Sequence, residues 1–385
     1  MNNKLKICIV VINSVWYDPR VRKQIEEYLR CGHEVRVVGH RCARYDEEKV
    51  KQIPAPTNIV HVVKYAGKQR SPVKKLLRER LRNQGITRAI VDTQCDVIHA
   101  NDYDALVPAY VAAKKLGCVL VYDSHEICVE NDFAKRLPSV FIRYMRWDEK
   151  RMCRHLDQMV CVSHAAAEYF EKKYGIPQPM VVTNCALKRE MAVAEEKHEG
   201  FEILNHGQFY EGRGYDLMVE SAPLLKDIPE VRLALRGFGR IEEQLHDRVR
   251  ELKAENVIFY PKVLVQELIP EATKSHVGVA ITLPICLNFK LSVSNKLFEY
   301  AAAGLPVIMS DIPEHRYLNE KYDFGLILEE NTPECFAKAV RTLYEDKALY
   351  DRLAENAMRL SQEVNWETEF ERLIQREREL VHEKK

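Results

Sequence analysis

The chain has 385 residues, 46% of them apolar and 30% charged, more than a single core comfortably holds, so two domains are the default. That composition excludes a disordered or fibrous chain, and no run approaches the ~18 consecutive apolar residues of a membrane span. The net charge of +1 hides an asymmetry: Lys and Arg against Asp and Glu sum to +10 over residues 1–185, leaving −9 for the remainder.

In chain order, KICIVVIN reads as a buried first strand. Its apolar stretch is too short for a signal peptide and has no small-residue cleavage site. The turn that follows, NSVWYDPRV, contains no glycine, so the GxGxxG loop of a dinucleotide-binding enzyme is missing. Two readings stand for Asp18 and Arg20 in that turn: they take part in ligand binding, or they pair with each other. The helix VRKQIEEYLRCG and the strand EVRVVGH come next.

Residues 68–82, KQRSPVKKLLRERLR, carry seven positive charges and one negative. Val73, Leu76, Leu77 and Leu81 fall at helical spacing and form one apolar stripe on a basic helix. That pattern predicts a helix lying on an anionic membrane surface, with Lys74, Lys75, Arg78 and Arg82 facing lipid headgroups. Then come the strand DVIHA, the helix DALVPAYVAAKKLG and the strand CVLVYDS. His125 follows that strand in an acidic setting, Asp123 and Glu126, at the carboxyl end where ligands of open α/β sheets collect. A satisfied structural histidine is the alternative. FAKRLPSVFIRYMRWDEKRMCRH mixes Phe141, Tyr144 and Trp147 with basic residues and reads as a core helix with solvated charges. The strand QMVCVS completes the first half.

After LKREMAVAEEKHEGF the rhythm restarts with EILNHGQ, a helix from Tyr215, VRLALRG, a helix from Arg240, VIFYP and VGVAITLP. SNKLFEYAAAGLPVIMSD, FGLIL and a polar terminal helix, WETEFERLIQRERELVHEKK, follow. Alternating strands and helices predict parallel sheets covered on both faces, in two Rossmann-like domains. The eleven cysteines show no CxxC pair, and several sit in apolar runs. Free buried thiols in a reducing cytoplasm are expected, with no metal site.

Phosphate-binding features gather in the second half. Gly212-Arg213-Gly214 lies just before a helix, whose exposed N–H groups and arginine fork suit an anion, and a turn glycine with a solvated arginine is the bland alternative. LRGFGR, with Gly237, repeats that layout. Ser292 and Ser294 are candidate N-caps of the next helix. Lys296 in its first turn opposes the helix dipole unless a phosphate is near. Glu299, one turn on, offers two acceptor oxygens to a cis-diol such as ribose.

GQFYEGRGYDL, LALRGFG, VIFYPKV and NKLFEYAAAGLPVIMSD resemble, in order and spacing, the donor domain of glycosyltransferase family 4, and YDPRVRKQIEEYLRCGHEV, DVIHANDYDAL and VYDSHE resemble its N-terminal domain. The resemblance covers roughly residues 5–365. It implies an α/β protein of GT-B architecture: two Rossmann-like domains whose parallel sheets face across a cleft. It implies an acceptor-binding domain at 1–185, a nucleotide-sugar-binding domain at 200–365, and a helix 366–385 packing back on the first. By it Glu299 bonds the donor ribose, Arg213 meets the diphosphate and Val263 contacts the base, while Gly214, Lys296 and Gly237 complete the expected nucleotide-binding set. His125 lies near the transferred sugar. Three departures stand out: Leu291 occupies the place of the first of two family glutamates, the one facing the sugar, Gln208 that of an arginine, and NSVWYDPRV that of a glycine-rich loop. Sugar contacts then fall to the loop LPICLNFKLSVSN, with Asn288, Lys290, Ser292, Ser294 and Asn295.

The expected activity is therefore a retaining glycosyltransferase using a UDP- or GDP-linked sugar without metal. Its expected acceptor is a lipid-linked or cell-surface polysaccharide intermediate of lipopolysaccharide, capsule or exopolysaccharide type. Its expected place is cytoplasmic, peripheral at the inner face of the membrane. No nucleic-acid module is present. A GT-B-shaped sugar-nucleotide epimerase and a non-catalytic nucleotide-sugar-binding module are the rival classes.

Overall fold

The computed structural model describes residues 4–12, 15–41, 47–60, 72–190 and 195–384. The chain divides into two compact units, Met1–Thr183 with Glu369–Lys385, and Asn184–Thr368. In the first, β1 (Lys6–Val11), β2 (Glu34–His40), β3 (Thr57–Val60), β4 (Val97–Asn101), β5 (Val119–Ser124), β6 (Gln158–Cys161) and β7 (Met180–Val181) form a sheet of order β3-β2-β1-β4-β5-β6-β7. Its ladders are parallel. β4 and β5 are buried along their whole length, so their sequences run apolar instead of alternating. The short edge strands β3 and β7 leave no such run, and the sequence reading missed them.

Chain order reverses between β1 and β4, whose last residues, Val11 and Asn101, lie side by side. Crevices at such reversals are where open α/β sheets bind ligands. The Pro19–Arg30 helix begins there because Pro19 fits the first turn and the Asp18 carboxylate accepts the Val21 N–H at 3.1 Å.

The second unit holds β8 (Phe201–Phe209), β9 (Val231–Gly239), β10 (Val257–Tyr260), β11 (Val277–Ala280), β12 (Val307–Ser310) and β13 (Gly325–Leu328) in the order β10-β9-β8-β11-β12-β13. All its ladders are parallel, and here the reversal lies between β8 and β11. Ile203, Leu233, Val279 and Ile308 pack with Phe336 and Val340 of the Pro333–Glu345 helix.

Two expectations change, and a third is described only in part. The terminal stretch reads polar, yet its helix, Trp366–Lys384, buries Phe370, Leu373, Ile374 and Leu380. Its Lys384 ammonium donates to the Cys118 carbonyl at 2.8 Å and to Asp157 at 2.7 Å. The Ser139–Cys153 helix turns Phe141, Tyr144 and Trp147 outward instead of into the core, because Met145, Met152 and Cys153 fill the inner face. The basic helix spans Pro72–Val91, with Leu77 and Leu81 exposed and Arg82 paired to Glu79 at 2.7 Å. Residues 68–71 and the side chains of Val73, Lys74, Lys75 and Leu76 lie outside the described part.

Among the described residues, ten cysteines form no disulfide and no helix is long and apolar enough to cross a membrane.

Candidate active site

In the second unit β8 and β9 end side by side, with Gly207 opposite Gly237. A Cβ on Gly237 would sit 1.8 Å from the Gly207 carbonyl oxygen, so only glycine fits there. Over them reaches Lys296, from the Asn295–Ala302 helix. Its ammonium donates to Asn205 Oδ1 at 2.6 Å and to the Tyr215 hydroxyl at 3.3 Å, and lies over the Tyr215 ring. Burial and then the Arg213 charge lower its pKa to about 7, against the pull of Glu299.

Glu299 faces His206, whose Nε2 lies 2.7 Å from a carboxylate oxygen. A carboxylate only accepts, so Nε2 carries the proton. The Glu299 side chain keeps 26% of its surface exposed, whereas His206 is buried. Its ring stacks on Tyr300 at 4.5 Å, and its Nδ1 has no hydrogen-bond partner among the described residues.

Gly214 precedes the Tyr215–Ser221 helix at φ +77°, and a Cβ there would meet Ile281 Cβ at 2.6 Å. The Arg213 guanidinium lies over the Phe289 ring at 4.4 Å. Val263, half-buried, follows β10 beside Lys262, whose ammonium is 5.0 Å from the exposed Phe238 ring. Gln208 is exposed at the end of β8, opposite Phe238.

The expected sugar loop is partly helical, over Leu287–Leu291, and Leu291 ends that helix. Its turn uses the Lys290 amide, which donates to the Cys286 carbonyl at 3.2 Å, and the Ser292 amide, which donates to Asn288 at 2.9 Å. Asn288 is buried, while Lys290 and Asn295 are exposed. Ser292 therefore terminates the short helix and does not cap the Glu299 helix. Ser294 occupies that N-cap position, but its side chain makes no capping bond.

Four residues at this edge escaped the sequence reading: Asn205, His206, Tyr215 and His315. The first two sit in NHG at the end of β8, where position alone was the signal. His315 lies just past β12, fully buried, with Nδ1 donating to the Ser310 carbonyl at 3.0 Å and Nε2 without a partner among the described residues. Burial, helped by the Arg213 charge, lowers its pKa to about 4, so it is neutral at pH 7.

The first unit gathers a second cluster at its own carboxyl edge. His125 Nε2 lies 2.9 Å from Asn101 Oδ1 and 3.7 Å from Asp123, and Nδ1 lies 3.5 Å from Asp102 and 4.0 Å from Asp18. Burial alone would lower its pKa, but these three carboxylates outweigh it and raise the value to about 9. The imidazolium is thus the form present at pH 7, suited to donating hydrogen bonds and stabilising negative charge, and unsuited to acting as a base. Asp102 holds its position at φ +65°, in the left-handed region that non-glycine residues rarely occupy.

Two expectations are corrected here. The acidic setting is Asp18, Asp102 and Asp123, not Glu126, which accepts from Asn131 instead. For the turn whose two readings are ligand binding or an Asp18–Arg20 pair, the structure gives each residue another partner: Asp18 caps its helix. Arg20 instead grips Asp123 with two hydrogen bonds of 2.9 Å, joined by Gln24 at 2.7 Å. No group of His, Cys, Asp or Glu among the described residues is arranged to hold a metal ion.

Comparison with known proteins supplies the family. Residues 20–188 match the Glycosyltransferase Family 4 model and residues 200–346 the Glycosyl transferases group 1 model. No curated protein matches in sequence. A glycosyltransferase from Rickettsia africae superposes with a TM-score of 0.76 at 14% identity, over 98% of this chain and 99% of that one. Anabaena HepE, solved with UDP and glucose, gives 0.71 at 15%, over 96% and 98%. A putative UDP-N-acetylglucosamine 2-epimerase from Listeria monocytogenes gives 0.64 at 12%, over 96% and 95%. At such identities these structures speak for the fold alone. With one family model on each of its two parallel-sheet units, the chain belongs to the GT-B glycosyltransferases, a family 4 half followed by a group 1 half.

Proposed function

We propose that the chain moves a sugar, with retention of configuration, from a UDP- or GDP-linked donor to a lipid-linked intermediate of a cell-surface polysaccharide. One observation carries the donor half of this reading: two cations, Lys296 and Arg213, and a partly exposed carboxylate, Glu299, stand at the carboxyl ends of β8 and β9, where Gly207 and Gly237 lie side by side. Lys296 and Arg213 bind the diphosphate, with Gly214 at the start of the Tyr215–Ser221 helix beside them. Glu299 holds the ribose, its carboxylate oriented by His206, and Gly237 and Val263 border the base. Around the sugar stand Asn288, Lys290, Ser292, Ser294 and Asn295. In the first unit, His125 as an imidazolium stabilises negative charge near the transferred sugar.

The acceptor oxygen bonds to the anomeric carbon on the face the diphosphate leaves, and the diphosphate takes the acceptor's proton. The enzyme's part is positioning and charge stabilisation. The cations named suffice for the leaving group without metal. The basic first unit supports a peripheral place on the inner face of the membrane, through Lys74, Lys75, Arg78 and Arg82.

To test this, UDP- and GDP-sugars are incubated with the chain and a membrane lipid extract. Nucleoside diphosphate release is followed, and the new linkage is read by NMR. Release that needs the extract, with the donor's anomeric configuration kept, is expected. Sugar-nucleotide isomerisation or hydrolysis without acceptor would instead favour the epimerase class, and an inverted product would remove the front-face mechanism.

A further inference from the structure

The Ser139–Cys153 helix has two unlike faces. Its inner face carries both of its acids: Glu149, fully buried, accepts from the Tyr122 and Tyr174 hydroxyls at 2.6 Å each. Asp148, 6% exposed, accepts from Tyr103 at 3.3 Å and from Arg151 at 2.7 Å. Its outer face carries Val140, Phe141, Tyr144 and Trp147, exposed by 65%, 48%, 55% and 58%. The Tyr144 and Trp147 rings lie 6.1 Å apart, and the Arg151 guanidinium sits 5.6 Å from the Trp147 ring. Arg143 and Arg151 are exposed on the same helix, and Arg154 just beyond it. With both acids turned inward, the charge this helix shows to solvent is positive.

Four large apolar side chains in one exposed stripe are more than a water-facing helix ordinarily shows. Tyr and Trp, each apolar with one polar end, favour the boundary between headgroups and acyl chains, and arginines beside them favour anionic lipid. We propose that this face docks on an anionic phospholipid bilayer, with Phe141, Tyr144 and Trp147 entering the headgroup boundary and Arg143, Arg151 and Arg154 contacting phosphates. The inference rests on the membrane-peripheral part of the function proposed above and adds an aromatic anchor to its basic helix. It does not depend on the donor assignment.

The chain carries its own probe. Of its three tryptophans, Trp366 is fully buried and Trp16 half-buried, so Trp147 is the one most open to solvent. The full chain is mixed with phosphatidylcholine vesicles, with and without phosphatidylglycerol, and followed by co-sedimentation and tryptophan emission. Binding and a blue shift only with phosphatidylglycerol are expected. Trp147→Phe should abolish the shift while keeping binding, and the triple variant Phe141→Ser, Tyr144→Ser, Trp147→Ser should cut partitioning about tenfold or more at unchanged melting temperature. If wild type binds and only Arg78→Ser with Arg82→Ser releases it, the membrane reading survives and the aromatic anchor falls. If wild type ignores both vesicles, both fall. A dimer in free solution that the triple variant dissolves, without vesicle binding, would assign the face to a second copy instead.

Discussion

Lys296→Met is expected to weaken nucleoside diphosphate binding by about 10- to 100-fold, the ~1.5–3 kcal/mol of a charge-assisted hydrogen bond. In the free protein Lys296 is poised: burial and Arg213 bring its pKa to about 7, and Asn205 holds it in place. A diphosphate brings the negative charge that restores the ammonium, so binding above pH 7 takes up a proton. Wild-type affinity should therefore fall as pH rises from about 7, and calorimetry in buffers of differing ionisation enthalpy should record proton uptake near pH 8 that Lys296→Met lacks. Stability moves the other way. The folded pKa lies below the unfolded value near 10.4, so the unfolded chain binds more protons between these values and stability rises with pH across that window. Lys296→Met should flatten that rise. An unchanged affinity with the pH slope intact would take Lys296 out of the site.

Arg20→Met should cost about 3–5 kcal/mol of stability, the usual consequence of stranding one member of a buried ion pair. Arg20 is 2% exposed and Asp123 fully buried, and no solvent stands ready to replace the lost fork. Burial would raise the Asp123 pKa, but Arg20 first, with His125 and His99, holds it well below the usual carboxylate range. That contribution is present above the unfolded value near 3.9 and is lost as pH falls through the folded one. Arg20→Met should lose it at less acidic pH, so its acid unfolding begins earlier, while Arg20→Lys, with charge but no fork, falls between. A melting temperature within a degree or two of wild type would show that Gln24, His99 and His125 satisfy Asp123 without the arginine.

Both substitutions touch contacts of long sequence separation, and there the sequence was least readable. Strands such as KICIVV and CVLVYDS were legible because burial on both faces demands unbroken apolar runs. The placement of Glu299 and Lys296 on one short helix beside a strand was legible. Their partners were not: His206 reaches Glu299 across 93 positions, and Asn205 meets Lys296 across 91. Likewise His125 draws its carboxylates from a helix cap and the ends of β4 and β5, which only the parallel register brings together. In FIRYMRWDEKRMC, aromatic and basic residues share the helical period with the acids, and periodicity could not decide which set turns inward. Buried tyrosine hydroxyls around Glu149 decided it.

The most direct test of the account is calorimetric titration of UDP, GDP, ADP and CMP into the full chain and into Glu299→Ala. Binding of one uridine or guanosine diphosphate, weakened about tenfold or more by the substitution, is the result expected of a carboxylate that holds a ribose. If none of the four binds the wild-type chain, or if Glu299→Ala binds as well as wild type, then the edge built by Lys296, Arg213 and Glu299 is not the donor site.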